Sequence, residues 1–208
     1  MLKESEYVSL FKVAVEKVLK EVNFSIGKDQ NLCIEADKNL FYELTVNQNL
    51  DLQVKNIKKQ IRGESAFQTD ICIFEKKGEE KFPRVVIEFK INPSTHDILV
   101  YSAKAGKHKQ VYPWLRYGMF VCDLSSVPIK KFSKHNDYMD FCVAAKDFLD
   151  EKEIHRLHEF AKKLVLSEIV MSQTIESMYF DNPKMNFYQK AIVFNDFEGN
   201  SDIHSQKK

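Results

Sequence analysis

Two short apolar segments joined by a polar stretch constrain the fold of this chain most strongly. Residues 67–74 (FQTDICIF) and 84–91 (RVVIEFKI) are rich in β-branched and aromatic residues, whereas residues 75–83 (EKKGEEKFP) are mostly charged and contain a glycine and a proline. β-Branched and aromatic residues favour strands, and a glycine-containing polar stretch between two such runs favours a tight connection. The pattern predicts a β-hairpin.

Pairing within this hairpin brings three charged side chains together. Pairing residues symmetrically about a turn near Gly78 and Glu79, with residue 79 as the midpoint, gives the cross-strand pairs 70 with 88, 72 with 86 and 74 with 84. Asp70 and Glu88 then face each other. Lys90 lies two positions beyond Glu88, so strand alternation directs it to the same side of the sheet. The spacing therefore predicts that Asp70, Glu88 and Lys90 converge.

Two carboxylates held this close together repel each other, and a bound divalent cation compensates that repulsion best. Mg²⁺ prefers oxygen ligands and keeps several of its waters, so Asp70 and Glu88 are predicted as its ligands, with Mn²⁺ as an alternative metal. Phosphate oxygens would fill the remaining positions. A metal-bound water is a stronger nucleophile, and Lys90 is suited to orient it or to stabilise the charge of the transition state. The predicted chemistry is hydrolysis of a phosphodiester bond.

A solvated edge strand is the alternative interpretation of the same residues. An acid, any residue and then a lysine also occur at positions 75–77, 79–81 and 150–152, where they suit a turn or a helix surface. Glu88 and Lys90 differ because they interrupt an apolar strand, in which charged side chains are costly unless they are paired or used.

Thr69-Asp70 and Glu88-Phe89-Lys90 resemble the signature of the PD-(D/E)xK nuclease superfamily, with Thr69 in place of the proline. The longer segments FQTD, PRVVIEFK and THDILVYSAKAGKHKQVYPWLRYG are similar to type II restriction-endonuclease-like proteins, and the likeness covers roughly residues 65–123. It implies an α/β fold with a restriction-endonuclease-like core, in which a central mixed β-sheet is flanked by helices. It also implies a Mg²⁺-dependent DNA endonuclease of restriction type in which Asp70, Glu88 and Lys90 are catalytic.

The periodicity of the apolar residues predicts the elements around the hairpin. An amphipathic helix is expected over residues 3–22, and another follows the hairpin over residues 97–112, where Ser94 and Asp97 have the spacing of a capping box. The other predicted elements are a strand at 31–35, helices at 37–47 and 50–61, strands at 118–123 and 141–145, and an extra C-terminal helix at 150–178.

These elements predict one nuclease-like domain over residues 1–197, with its core at about 30–145 and a C-terminal helical segment at about 150–178. Residues 198–208 are expected to form a loose polar tail. The apolar face of the C-terminal helix is expected to cover the sheet or to pair with a second copy. Because cutting both strands of a symmetric DNA site favours two-fold symmetry, a homodimer is expected.

Residues outside the hairpin are candidates for supporting roles. The predicted phosphate contacts lie on the helix after the hairpin, and they are Lys104, Lys107, His108 and Lys109. A solvated helix face is the alternative for each lysine. Gln110 and the aromatic residues after it resemble the Gln-containing motif of recombination-type nucleases. His96 lies just past the catalytic strand. Glu43, on the helix predicted at 37–47, is either an additional metal ligand or a surface glutamate.

Composition bears on partners and location. The 208-residue chain carries 31 Lys and Arg against 30 Asp and Glu, so DNA binding must come from local basic patches and not from net charge. No apolar run has the length of a membrane span, so a cytoplasmic protein without a membrane partner is expected. The four cysteines are widely spaced, which favours buried thiols over a zinc site. No small-molecule cofactor is expected.

Two other functions stay open on the sequence. A repair or recombination nuclease of the same superfamily would use the same three residues on ends, flaps or damaged strands. A non-catalytic DNA-binding subunit would keep the fold and work with a partner, although the presence of Asp70, Glu88 and Lys90 favours an enzyme.

Overall fold

The computed structural model describes residues 2–26, 31–44, 48–49, 62, 65–149 and 154–181. The helices there are α1 (Glu4–Ile26), α2 (Thr95–Val111), α3 (Ile129–His135) and α4 (Ile154–Phe180). The strands are β1 (Asn31–Phe41), β2 (Ala66–Lys77), β3 (Glu80–Lys90), β4 (Arg116–Val121) and β5 (Phe141–Ala144). The chain is thus an α/β protein with a helix-flanked sheet, as the sequence predicts.

The five strands form one open mixed sheet in the order β1-β2-β3-β4-β5. β2 is antiparallel to both β1 and β3, whereas β4 runs parallel to β3 and β5 parallel to β4. A parallel pair needs a crossover connection, and α2 provides it between β3 and β4. The end of β3 that carries Glu88 and Lys90 therefore leads into the start of α2.

The two long helices share a core with one face of the sheet. The ring of Phe11 on α1 lies 5.9 Å from that of Phe89 on β3 and 4.9 Å from that of Phe120 on β4. The predicted apolar stripe of α4 is buried in this core, and its members are Leu157, Ala161, Leu164, Val165 and Ile169. This stripe therefore covers the sheet and is not available to pair with a second copy. On the other face, Ile98 and Ala105 of α2 join the second core.

The predicted hairpin is present, and its register contains one irregularity. Cys72 pairs with Val86, as the sequence predicts. Nearer the turn the register shifts by one residue, so that Phe74 pairs with Pro83 and the predicted pairing of Phe74 with Arg84 is wrong. Arg84 is the additional residue of a β-bulge, which leaves one residue unpaired and redirects its side chain.

Two other sequence predictions differ from the structure. Residues 37–41 continue β1 and do not begin a helix, because pairing with β2 outweighs their weak local preference. The sequence does not predict α3, since seven residues are too few for a clear apolar stripe. The helix predicted at 50–61 and the tail at 198–208 lie outside the described residues. The helices predicted at 3–22 and 97–112 are confirmed, including the capping box of α2.

Candidate active site

Asp70 and Glu88 lie on neighbouring strands where the paired part of the hairpin ends. Glu88 Oε2 accepts a hydrogen bond from the backbone N–H of Asp70 at 3.2 Å, and Asp70 Oδ2 accepts one from the N–H of Phe89 at 2.8 Å. Each carboxylate is thus held by the main chain of the opposite strand. These contacts directly follow the last paired residues, Ile71 and Ile87. The structure therefore brings Asp70 and Glu88 together, as their spacing predicts.

Strand β1 is irregular at the position beside Asp70. Asp37 has a φ of 53°, a left-handed conformation that Asp tolerates better than most residues. Its two neighbours pair with Ile71 and Thr69, whereas Asp37 itself is left out of the ladder. The side chain of Asp37 instead accepts a hydrogen bond from Gln68 at 2.9 Å. The regular pairing of β1 with β2 is therefore interrupted beside Asp70.

Lys90 is positioned by a carboxylate from the first turn of α1. Its Nζ donates to Glu4 Oε2 at 3.0 Å, while Glu4 Oε1 accepts the backbone N–H of Ile91 at 3.1 Å. Burial by itself lowers the pKa of Lys90, but Glu4 and Tyr101 outweigh it and raise that pKa above its ordinary value. Lys90 is therefore a positive charge and a hydrogen-bond donor and not a general base. Its side chain is 22% exposed, so solvent reaches it.

A second lysine, on α2, neutralises Glu88. Lys104 Nζ donates to Glu88 Oε1 at 2.5 Å and also to the backbone carbonyl of Gln68. The hydroxyl of Tyr117, on β4, donates to the same oxygen of Glu88. Burial and the charge of Glu88 raise the pKa of Tyr117, so its hydroxyl stays protonated. Because Glu88 is only 1% exposed, its carboxylate depends on these partners.

The ring of Tyr101, on α2, contacts both ammonium groups. Its centroid lies 5.5 Å from Lys90 Nζ and 5.4 Å from Lys104 Nζ, distances at which an aromatic ring attracts a cation. Burial and the neighbouring Glu88 raise the pKa of Tyr101 to about 12, so the phenol is neutral at physiological pH. The site therefore combines two carboxylates with two lysines around one aromatic ring.

The positive charges near Asp70 do not offset the effects of burial and of Glu88 on its pKa. Burial raises the pKa of Asp70 to about 6, and repulsion by Glu88 adds to the increase. The N–H of Phe89 and the charges of Lys104 and Lys90 act in the opposite direction without cancelling it. A strongly shifted pKa next to a second carboxylate is typical of functional sites, and a divalent cation would relieve it.

This shift predicts how stability depends on pH in the absence of metal. Between about pH 4 and pH 6 the folded state binds more protons at Asp70 than the unfolded state, so the free energy of unfolding falls as the pH rises through this range. Two pKa units correspond to about 3 kcal/mol. The Asp70→Asn variant should therefore gain stability relative to the wild type between pH 4 and pH 7, by up to that amount.

Urea denaturation of the wild type and of Asp70→Asn in EDTA, at pH 4 and at pH 7, measures the difference in their free energies of unfolding. The comparison between pH values removes any constant effect of the amide on packing. An Asp70→Asn effect of equal size at pH 4 and pH 7 would contradict the prediction.

The predicted supporting residues Glu43, Gln110 and His96 do not contact Asp70 or Glu88 in the structure. Glu43 is exposed in the irregular stretch after β1, so its prediction on a helix is wrong. Gln110 is exposed in the last turn of α2, about 9 Å along the helix beyond Lys104, and does not join the carboxylates. His96 is exposed in the first turn of α2, near Lys90 in sequence, and its role stays a prediction.

The four residues predicted to contact phosphate lie in different environments. His108 is fully buried, and its Nδ1 lies 2.8 Å from the carbonyl of Phe41, so the prediction that it contacts phosphate is wrong. Burial lowers the pKa of His108 to about 4, which leaves the ring neutral. Lys109 pairs with Asp140 at 2.6 Å and Lys104 with Glu88, whereas Lys107 is exposed. Of the four, Lys107 thus has the position expected for a phosphate contact.

The donor set suits a hard divalent cation. Among the described side chains, no group of three or more His, Cys, Asp and Glu residues is arranged to hold a metal ion. Asp70 and Glu88 nevertheless supply two adjacent carboxylates, and within the described part of the chain Oδ1 of Asp70 has no hydrogen-bonding partner. Mg²⁺ takes such oxygen donors and fills its other positions with water and phosphate, so the residues present fit this ion.

Sequence reasoning missed the residues that surround the motif. Glu4, Tyr101 and Tyr117 each contact one of the motif's charged groups, but they lie on three different elements. One signal was present in α2, where Tyr101, Lys104 and His108 follow each other at steps of three and four residues. That spacing places polar side chains on the helix face that packs against the sheet, where apolar residues are usual.

Comparisons with protein-family models, with curated proteins and with solved structures found no match to this chain. Within the described residues, no helix combines the length and the apolar character that crossing a membrane requires.

Proposed function

We propose that this protein is a Mg²⁺-dependent nuclease that hydrolyses phosphodiester bonds in DNA, with Asp70, Glu88 and Lys90 as its catalytic residues. The observation that carries the proposal is the position of Asp70 and Glu88 at the end of the hairpin, where each carboxylate accepts a backbone N–H of the opposite strand and where burial and the charge of Glu88 raise the pKa of Asp70 to about 6. Such a pair, with lysines beside it, suits a cation and a phosphate.

Each residue has a distinct part in the proposed reaction. Asp70 and Glu88 would hold the cation, which when bound activates a water molecule and offsets charge on the phosphate. Lys90 is protonated and 22% exposed, so its ammonium can donate to a phosphate oxygen or orient the attacking water. Glu4 fixes Lys90 by a hydrogen bond of 3.0 Å, and the ring of Tyr101 supports the same ammonium. Both are therefore positioning residues.

The order of the elements supports a restriction-endonuclease-like core as the fold in this proposal. An antiparallel hairpin carries the acidic residues, a crossover helix follows, and the next two strands run parallel to the second strand of the hairpin. The motif residues lie on β2 and β3, two neighbouring internal strands of the sheet. These are the positions that the resemblance in sequence implies.

Basic residues near the site support DNA as the substrate. α3 carries three lysines and a histidine in seven residues and no acidic residue. Lys131 Nζ donates to the carbonyl of Pro93 at 3.0 Å, which attaches α3 to the loop directly after Lys90. Lys130 and Lys134 on this helix are exposed, as is Lys107 on the adjacent α2. Exposed lysines at such positions suit the phosphates of a bound duplex. A homodimer stays part of the proposal, since one site cuts one strand.

Digestion of supercoiled plasmid and linear phage DNA with Mg²⁺ tests the proposed function. We expect cleavage of both substrates that stops in EDTA, with discrete bands if the enzyme reads a sequence and a smear if it does not. Degradation confined to linear DNA would instead favour an end-directed repair or recombination nuclease. Absence of cleavage with both Mg²⁺ and Mn²⁺, in protein that binds the same DNA, would overturn catalysis in favour of a binding subunit.

A further inference from the structure

We propose that Lys104 competes with the divalent cation for Glu88, so that metal binding and DNA binding assist each other. In the free protein its ammonium neutralises Glu88, and when the cation is bound it contacts a phosphate of the DNA. This inference rests on the proposed metal-dependent function and specifies how that site is regulated. It assigns to Lys104 a role that the motif residues do not fill.

The contacts of Lys104 are those of a cation in an oxygen site. Its Nζ donates to Glu88 Oε1 at 2.5 Å and to the backbone carbonyl of Gln68. A carboxylate oxygen and a carbonyl oxygen are also ligands that Mg²⁺ binds. The side chain of Lys104 is 14% exposed and that of Glu88 1%, so little water takes part in this ion pair. A metal ion bound to Glu88 would therefore have to displace or repel the ammonium of Lys104.

Lys90, unlike Lys104, is not paired with Glu88. Its ammonium is held by Glu4 at 3.0 Å, so the lysine of the motif already has a carboxylate of its own. The ring of Tyr101 lies at nearly the same distance from both ammonium groups, and its side chain also forms a hydrogen bond with Lys90. Each lysine thus has a separate counter-ion, and Lys104 alone of the two is paired with a proposed metal ligand.

Charge balance links the two binding events. A buried carboxylate that loses the cation paired with it is strongly disfavoured, so Glu88 keeps Lys104 until another cation replaces it. The displaced ammonium, on its flexible four-carbon stem, then lies beside two positively charged neighbours, Lys90 and the metal. A DNA phosphate supplies the anion that this arrangement needs. By thermodynamic linkage, DNA must then raise the affinity for metal by the same factor by which metal raises the affinity for DNA.

Mn²⁺ binding, followed by electron paramagnetic resonance, tests the inference without any measurement of activity. The variants are Lys104→Met, which keeps the apolar stem and removes the charge, and Lys104→Arg, which keeps the charge. Lys17→Met removes an exposed charge about 20 Å along α1 from Glu4 and is the matched control. Asp70→Asn removes a proposed ligand. Each is measured alone and with a phosphorothioate duplex that resists hydrolysis.

We expect Lys104→Met to bind Mn²⁺ about tenfold more tightly than the wild type in the absence of DNA. The duplex should raise the Mn²⁺ affinity of the wild type, of Lys104→Arg and of Lys17→Met by a similar factor, and that of Lys104→Met very little. Lys104→Met binding Mn²⁺ no more tightly than the wild type would overturn the inference. If Lys104→Met does not fold, Lys104→Arg takes its place in the test. The inference is then overturned if the duplex does not raise the Mn²⁺ affinity of Lys104→Arg.

The Asp70→Asn variant separates this outcome from failure of the proposed function. If the wild type binds Mn²⁺ and Asp70→Asn does not, the metal site exists and the lysine variants test the competition alone. If the wild type and Asp70→Asn bind Mn²⁺ equally, or if neither binds it, the metal site itself is absent and both proposals are overturned.

Discussion

Replacement of Asp70 by Asn is expected to reduce the rate of DNA cleavage at least about 100-fold, and replacement of Glu88 by Gln by a similar factor. Each change keeps the size of the side chain and removes one of the two negative charges that would hold the cation. Asp70 keeps a hydrogen bond to Phe89 through one oxygen, so the amide can retain its position in the fold. Rates of plasmid nicking at saturating Mg²⁺ measure the effect.

Glu79→Gln is the matched control for these two variants. Glu79 is exposed in the turn of the same hairpin, so the substitution removes an equal charge at the opposite end of the same two strands. This variant should cleave DNA at the rate of the wild type. All three variants should show the far-ultraviolet circular dichroism of the wild type. An Asp70→Asn protein that retains more than a tenth of the activity would refute the assignment of Asp70 as a metal ligand.

Replacement of Arg84 by Met is expected to lower the free energy of unfolding by about 3–5 kcal/mol. Arg84 Nε donates to Glu75 Oε2 at 2.7 Å, and Nη2 lies 2.5 Å from an oxygen of Glu176 on α4. The Arg84 and Glu75 side chains are 1% and 7% exposed. Loss of the guanidinium would therefore leave the carboxylate of Glu75 buried without its counter-charge.

Guanidinium chloride denaturation measures the loss, and two further variants identify its cause. Lys77 also pairs with Glu176, but its side chain is 46% exposed, so Lys77→Met should cost less than about 1 kcal/mol. Adding Glu75→Gln to Arg84→Met removes the unpaired charge and should recover part of the lost stability. If Arg84→Met costs no more than Lys77→Met, the buried ion pair does not contribute as described.

The sequence is informative about the hairpin because its determinants are local. Alternation of apolar and charged residues and a polar turn predict the two strands, and the two-residue step between Glu88 and Lys90 places these two side chains on one face; the pairing of Asp70 with Glu88 depends in addition on the bulge at Arg84. The capping box of α2 is equally local, since Ser94 and Asp97 bond to each other. Elements defined by contacts three or four residues apart can therefore be predicted from the residues alone.

The rest of the site depends on tertiary packing. Glu4 is 86 residues from Lys90 in sequence, and only the packing of α1 on the sheet brings them together. Lys104 and His108 belong to a basic stretch that suggests an exposed helix face, yet the rotation of α2 directs both toward the sheet. Helical periodicity cannot reveal this rotation when the inward positions are polar, because it identifies the buried face from its apolar residues.

The bulge at Arg84 determines whether Asp70 and Glu88 can meet at all. Beside the turn, Lys77 pairs with Glu80, and continuing that register along both strands would set Asp70 across from Ile87. The acid on β2 and the acid on β3 would then lie on opposite faces of the sheet. The additional residue at the bulge shifts the register by one and brings Asp70 opposite Glu88. A deletion of Arg84 would remove this shift, and the charged side chains of β3 beyond the bulge would then face the side of the sheet that its apolar side chains occupy now. The bulge therefore lets the turn and the site require different registers within one hairpin.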